Sequence, residues 1–247
     1  MSLDLLTFRN LSDVAGVVHG VSTRAGGVST GRCASLNVSH TVGDASENVE
    51  TNLSRLADAV GTERERFFSP YQVHGREVTV VDADTPARPR CDVLIARTPD
   101  KTLLLRYADC TPVLLADHRQ GVIGAVHAGW RGSAVRAASA AVEAMAEVFG
   151  SRPGDIVAGI GPAIGPCCYT VGKDVVDAFA DRPSLFADGK LDLWEANRLA
   201  LVDVGVPAEQ IEVAGICTQC QSERFFSHRA NGGQPSGRFA AVIRLAC

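Results

Sequence analysis

Three short segments carry residues able to do chemistry: Tyr71-Gln-Val-His74-Gly75, Tyr107-Ala-Asp-Cys110-Thr-Pro112 and Val126-His127-Ala-Gly-Trp-Arg-Gly132. Each sets an imidazole or a thiol beside Gly, Pro or Thr at the end of an expected strand. Such positions are exposed, yet a rigid scaffold holds them. One Cys and two His without a fourth protein ligand have the composition of a catalytic zinc site, with water in the open position. The ion lowers the pKa of that water and polarises a substrate oxygen. A thiol beside an imidazole equally suits a metal-free nucleophile and base. Taken singly, a His or Cys near a strand end is more often structural.

A hairpin ties two of the three segments together. Pro112 to Asp117 and Gly121 to His127 are apolar runs joined by His118-Arg-Gln-Gly121, which predicts two antiparallel strands. If Asp117 pairs with Val122, His127 lies opposite Pro112, and Cys110 falls one pleat further along on the same face. Cys110 and His127 become diagonal cross-strand neighbours with β-carbons roughly 7 Å apart. That distance serves two ligands of one metal or a thiol–imidazole dyad. A one-residue slip would put them on opposite faces. Periodicity does not place His74.

The elements that must position these residues follow from apolar spacing and breakers. Strands are expected over 14–21, 77–82, 92–96, 102–108, 157–160, 211–216 and 237–245. Helices are expected over 49–60 with Gly61 as stop, 134–149 with Gly150 following, 172–180 and 193–204. Strands often follow one another directly. That favours an α+β fold, mixed β-sheet layers flanked by helices, over a doubly wound parallel sheet. No repeat or long linker breaks the chain, so residues 1–247 read as one domain.

Composition narrows the function classes. The 247 residues carry 24 Lys and Arg against 28 Asp and Glu, a net charge of −4. No basic excess drives binding to nucleic acid or an anionic membrane. No apolar run approaches the ~18 residues of a membrane span. The N-terminus lacks a basic and then apolar export signal. The eight cysteines are therefore expected to be thiols or ligands rather than disulfides, in a cytoplasmic protein. No protein partner is implied.

Other residues carry two readings each. Arg24, with Gly26 and Gly27, can present a guanidinium and backbone N–H groups to phosphate, or the segment is a plain turn. Arg131 opens the Ala-rich helix and can meet phosphate at its N-terminus, or it is a surface arginine. Asn37 and Gln72 can hydrogen-bond a purine or ribose edge; Asn37 equally caps a turn. Asp109 either orients a ligand histidine or caps a turn. Trp130 and Tyr169 either stack on a base or pack in the core. Cys217-Thr-Gln-Cys220 is a lone CxxC, and a structural zinc site would need a second Cys/His pair, which is not evident.

The chain resembles the YfiH family, also called laccase-domain or multicopper polyphenol-oxidase-like proteins. The resemblance runs from Thr23-Arg-Ala-Gly-Gly-Val-Ser29 and Ser35-Leu-Asn37 through Gln72-Val-His74-Gly75, Asp109-Cys110-Thr-Pro112 and His127-Ala-Gly-Trp-Arg-Gly132. It continues through Gly161-Pro-Ala-Ile-Gly-Pro-Cys-Cys-Tyr169 and Cys217-Thr218 to Phe226-Ser-His-Arg229 and Ser236-Gly-Arg238. It implies that His74, Cys110 and His127 are zinc ligands and the catalytic centre. It implies a layered fold similar to cytotoxic necrotizing factor catalytic domains. The implied activities are phosphorolysis of adenosine, inosine, guanosine and methylthioadenosine, and deamination of adenosine. His228 stands where many relatives carry Tyr, which alters the pocket wall.

Four functions compete on this basis. A zinc-dependent purine nucleoside phosphorylase, with adenosine deaminase side activity, leads. Deamination would need a general acid/base other than the usual one, because the His-x-Glu and Pro-Cys-x-x-Cys signature is missing. A copper-dependent polyphenol oxidase is the second, although six scattered His offer no His-x-His pair; copper can occupy the same three ligands. A metal-free hydrolase using Cys110 and His127 is the third, and a non-catalytic binding module the fourth.

Overall fold

Strands that follow one another directly pair into two sheets stacked face to face. The computed structural model describes residues 3–246; Cys247 lies outside them. One sheet has the order β1 (Leu5–Leu6), β2 (Val17–Ser22), β13 (Phe239–Leu245), β6 (Thr102–Tyr107), β3 (Phe67–Phe68). The other has the order β12 (Ile211–Val213), β9 (Ile156–Ile160), β7 (Thr111–Asp117), β8 (Val122–Ala128), β5 (Val93–Ala96), β4 (Val78–Val81). A small antiparallel pair, β10 (Phe186–Ala187) and β11 (Lys190–Leu191), stands apart.

Strand parity separates the core layers. Leu114 and Ala116 of β7, Ile123 and Ala125 of β8, and Leu94 and Ala96 of β5 face the opposing sheet, where they meet Leu103, Leu105, Ala241 and Ile243. The alternate residues Val113, Leu115, Val122, Val126, Val93 and Ile95 face α4 (Ala137–Phe149) and α6 (Leu193–Asp203). Helix α2 (Ser46–Ala59) covers the outside of the first sheet, with Val49, Leu53 and Leu56 against Leu104 and Val242. The result is a helix–sheet–sheet–helix stack, an α+β fold of mixed sheets. Central strands buried on both faces account for the near-continuous apolar runs in the sequence.

The hairpin register is the one expected: Asp117 pairs with Val122 and Pro112 with His127. Other elements depart from the sequence reading for local reasons. The helix expected over 134–149 starts three residues later, as α4, and a separate short helix, α3 (Trp130–Ala134), precedes it; Arg136, in the left-handed region at φ 58°, divides the two. The Arg136 guanidinium donates to Asp203 Oδ2 at 2.8 Å, which anchors the break. Strand β2 starts at Val17 rather than Val14 because Gly16, at φ 78°, makes a turn there. The remaining helices, α1 (Arg9–Ser12) and α5 (Lys173–Ala178), are short; α1 has no sequence signal beyond one buried Leu11.

Candidate metal centre and active site

Residue parity on β8 decides which way His127 points. It shares the face of Ile123 and Ala125, between the sheets, and sits at the strand's end, 3% exposed. On the β5 side the ladder pairs Val93 with Val126, so Asp92 comes opposite His127. The backbone confirms it: His127 N–H donates to Asp92 O at 2.8 Å. The side chains meet as well, with His127 Nδ1 at 2.7 Å from Asp92 Oδ1. A carboxylate only accepts, so Nδ1 carries a proton, and Nε2 is the nitrogen left to face a metal. Tyr107 backs the imidazole, its ring centroid 5.4 Å away, and its hydroxyl donates to Val126 O at 2.9 Å.

The same carboxylate shapes the loop that carries His74. Asp92 Oδ2 accepts from Val73 N–H at 3.0 Å and from Gly75 N–H at 2.8 Å. The residue between these two donors is pinched into the left-handed region: His74 has φ 62°. Its ring then stands edge-on to His127, with centroids 4.8 Å apart. One fully buried carboxylate thus orients the His127 ring and fixes the loop that carries His74. Burial would raise the Asp92 carboxyl, but the hydrogen bond and charge of His127 and the Gly75 and Val73 N–H groups hold it below the usual carboxylate range.

Cys110 closes the group. Strand β7 starts one residue after it, because Asp109 lies at φ 85°; aspartate tolerates that region better than most residues. The donor atoms of His74, Cys110 and His127 all lie within 4.8 Å of one another. Gly129 makes this possible, since a β-carbon there would stand 2.8 Å from Cys110 Sγ and 3.2 Å from His74 Cδ2. Burial would raise the Cys110 thiol. The His127 charge, with hydrogen bonds from His127 and His74, overcomes it and brings the thiol down to about 6. Burial would lower His127, but the Cys110 charge and the Asp92 hydrogen bond push it up to about 9. Without a metal, both shifts favour a thiolate on Cys110 beside a protonated His127. The donor set fits zinc: one thiolate, two imidazoles, and a carboxylate on the far nitrogen of His127.

The three donors lie on the wall of a cavity of about 620 Å³, within the range of small-molecule sites. Four arginines line it (Arg64, Arg88, Arg106 and Arg238), and among the described lining residues there is no carboxylate. Arg64 is paired with Glu50 outside the lining. Arg106 donates to Val38 O at 2.7 Å and to Ser69 Oγ, and Arg238 to Ser236 O and Gly237 O, all neutral acceptors. Burial and the neighbouring Arg88 and Arg64 charges bring Arg106 down to about 10. A concave site with such unneutralised cations is built for an anion. The family model described as multi-copper polyphenol oxidoreductase laccase matches residues 18–246.

The chain belongs to this laccase family. A purine nucleoside phosphorylase of Deinococcus radiodurans is 41% identical over 98% of this chain and 93% of its own length. Purine nucleoside phosphorylase YlmD of Geobacillus stearothermophilus is 40% identical over 93% and 90%. A crystal structure of Bacillus licheniformis hypothetical protein YfiH superposes with a TM-score of 0.90 at 34% identity, covering 94% of both chains.

On this laccase-family scaffold, the other sequence candidates divide. Gln72 reaches the cavity, but both ends of its amide serve the fold: Nε2 donates to Arg106 O at 2.9 Å and Oε1 accepts from Arg106 N–H at 3.0 Å. It fastens the His74 loop to β6. Asn37 is fully buried, with its amide spent on Ser39 O, Asp44 Oδ2 and the N–H groups of Ser39 and Arg238. Arg24 lies outside the cavity, donating to Ala34 O and Ser222 O over the Phe226 ring. Arg131 is exposed and stacks on Trp130 at 4.1 Å. Asp109 orients no histidine; it accepts from Thr218 Oγ1 at 2.6 Å and Arg229 N–H at 2.7 Å. His228 lines the cavity. The residues that the sequence reading missed are Asp92, Arg88, Arg106 and Arg238. Asp92 has a signal only once the β5–β8 register is known, and the arginines come from loops and strands far apart in sequence.

Proposed function

We propose that the chain is a zinc-dependent purine nucleoside phosphorylase. The observation that carries the proposal is a three-donor group able to hold a metal ion, on the wall of an arginine-lined cavity with no carboxylate among its described lining residues. The names of the relatives support the same reading. His74, Cys110 and His127 would hold the ion, which supplies a Lewis acid for substrate oxygens. Arg88, Arg106 and Arg238 bind and orient inorganic phosphate. A phosphate oxygen bonds to C1′ of the ribose as the C1′–N9 bond breaks, and the purine leaves with the electron pair and takes up a proton. Stabilising the charge that develops on the purine falls to donors on the cavity wall. Asp92 keeps the His127 ring and the His74 loop in place throughout.

Inosine, guanosine, adenosine and methylthioadenosine are the proposed nucleosides, with adenosine deamination as a side reaction at the same centre. Copper oxidation fares worse. Among the described residues two groups can hold a metal, and neither contains more than two imidazoles. The metal-free hydrolase has one observation in its favour, the Cys110–His127–Asp92 line with its lowered thiol. The two readings are mutually exclusive at Cys110 Sγ, because a ligand thiolate is not a free nucleophile. The deciding assay follows hypoxanthine and ribose 1-phosphate released from inosine. Release that needs phosphate and is lost in Cys110→Ala supports the proposal. Release without phosphate, or none from metal-replete protein, refutes it.

A further inference from the structure

A second group of thiols lies outside the cavity. Cys167 and Cys168 sit in the turn after β9, where Cys168 N–H and Tyr169 N–H both donate to Gly165 O at 2.9 Å. Cys217 and Cys220 sit in the turn after β12, closed by Gln221 N–H to Cys217 O at 3.0 Å. The two turns run side by side, with Ala163 bridged to Cys217 and Thr218 N–H donating to Ala163 O at 3.0 Å. The second pair that the CxxC lacked in the sequence is therefore the adjacent Cys167 and Cys168, some fifty residues upstream. All four are free thiols, and their Sγ atoms lie within 4.8 Å of one another.

The spacing selects a ligand. Cys220 Sγ is 3.6 Å from Cys167 Sγ and 3.4 Å from Cys168 Sγ. Four sulfurs at about 2.3 Å from a zinc ion form a tetrahedron with edges of about 3.8 Å. The cluster is close to that size, too small to enclose several irons with bridging sulfides. A disulfide would use two thiols and give no reason for the other two to converge. Two backbone N–H groups face one of the sulfurs: Gly165 N–H donates to Cys217 Sγ at 3.3 Å, and the Cys220 N–H points to the same atom. Gly165 is needed for this approach, since a β-carbon there would lie 2.5 Å from the Trp194 ring and 3.2 Å from Cys217 Cβ.

We propose that Cys167, Cys168, Cys217 and Cys220 bind one zinc ion in a closed tetrathiolate site. Four thiolates complete the coordination and leave no open position, so the ion is structural. It staples the two turns that also grip Asp109: Ile164 N–H donates to Asp109 O at 2.9 Å and Thr218 Oγ1 to its carboxylate. Asp109 precedes Cys110, so the staple braces one wall of the metal centre.

The test uses the full chain, purified with reductant, and a His74→Ala/Cys110→Ala/His127→Ala variant that lacks the first centre. Zinc is counted by mass spectrometry, and cobalt is then exchanged in as a spectroscopic probe. The expected result is two zinc ions per wild-type chain, one per triple-variant chain, and a thiolate-to-cobalt charge-transfer band of four-sulfur intensity in the variant. Adding Cys217→Ser and Cys220→Ser should remove that ion and band. A folded triple variant without metal, or a Cys167–Cys220 or Cys168–Cys220 disulfide found by thiol counting and peptide mapping, overturns the proposal. Should the triple variant not fold, the wild-type count decides, and fewer than two zinc ions overturns it. The result is independent of whether the first centre is a phosphorylase.

Discussion

The two sulfur-bearing centres differ in donor number, access and support. The first has three donors of mixed type on a cavity wall, with His127 buried and oriented by Asp92. The second has four donors of one type on two turns, with Cys167 and Cys220 exposed. Three donors leave a position for chemistry, and four leave none. On the proposed reading, one chain separates reactivity from bracing: the reactive thiolate is fixed by strands and a buried carboxylate, the bracing thiolates by turns. Each difference can be broken by a substitution.

Removing a sulfur from either centre should give the widest contrast. Cys110→Ala should lower kcat/KM for inosine phosphorolysis by more than about 10²-fold, because losing a ligand costs more than losing its supporting partner. Cys220→Ser should leave kcat within a few-fold and lower the melting temperature instead. Equal activity losses in the two variants would erase the distinction between them. Asp92→Asn comes next. It keeps the shape but removes the carboxylate that fixes the His127 tautomer, so activity and metal affinity should each fall roughly 10–100-fold. Circular dichroism checks that the fold survives.

How much of this was legible in the sequence follows from which contacts are local. The Cys110–His127 neighbourhood was readable because a four-residue loop sets the hairpin register, and the structure has that register. The α+β class was readable from strands that follow one another directly. Asp92 was not, because its role depends on how β5 pairs with β8, across a separation that periodicity does not encode. Arg24 and Asn37 looked like phosphate and purine ligands by type, yet loop carbonyls and N–H groups use their polar atoms. The cavity arginines were invisible singly, since Arg88, Arg106 and Arg238 come together only in three dimensions. Cys217 and Cys220 appeared alone for the same reason.

Reactivity toward iodoacetamide sharpens the contrast between the centres. In metal-stripped protein the Cys110 thiol, brought down to about 6, should be alkylated at a rate that rises with pH up to about 6 and levels off above it. Deprotonation makes the nucleophile, so the rate must rise with pH and not fall. Cys167 is raised above the ordinary thiol range by burial and by hydrogen bonds with Cys217 and Cys220, so it should still be slow at pH 8. Mass spectrometry of labelled peptides reads both. The smallest effect is expected in phosphate binding: Arg238→Met should raise KM for phosphate roughly tenfold, the loss of one charge-assisted contact. Arg24→Met should leave that KM unchanged. If Arg24→Met moved it and Arg238→Met did not, the anion would be bound outside the cavity.

The central claim is that the Cys110 thiolate is a metal ligand and not a nucleophile. Zinc should be added back in steps to stripped protein while inosine phosphorolysis and Cys110 alkylation are followed in the same samples. Phosphorolysis should rise as alkylation falls, both tracking the filling of the His74, Cys110 and His127 centre. Phosphorolysis that is highest in the stripped protein and is abolished when Cys110 is alkylated would contradict that claim.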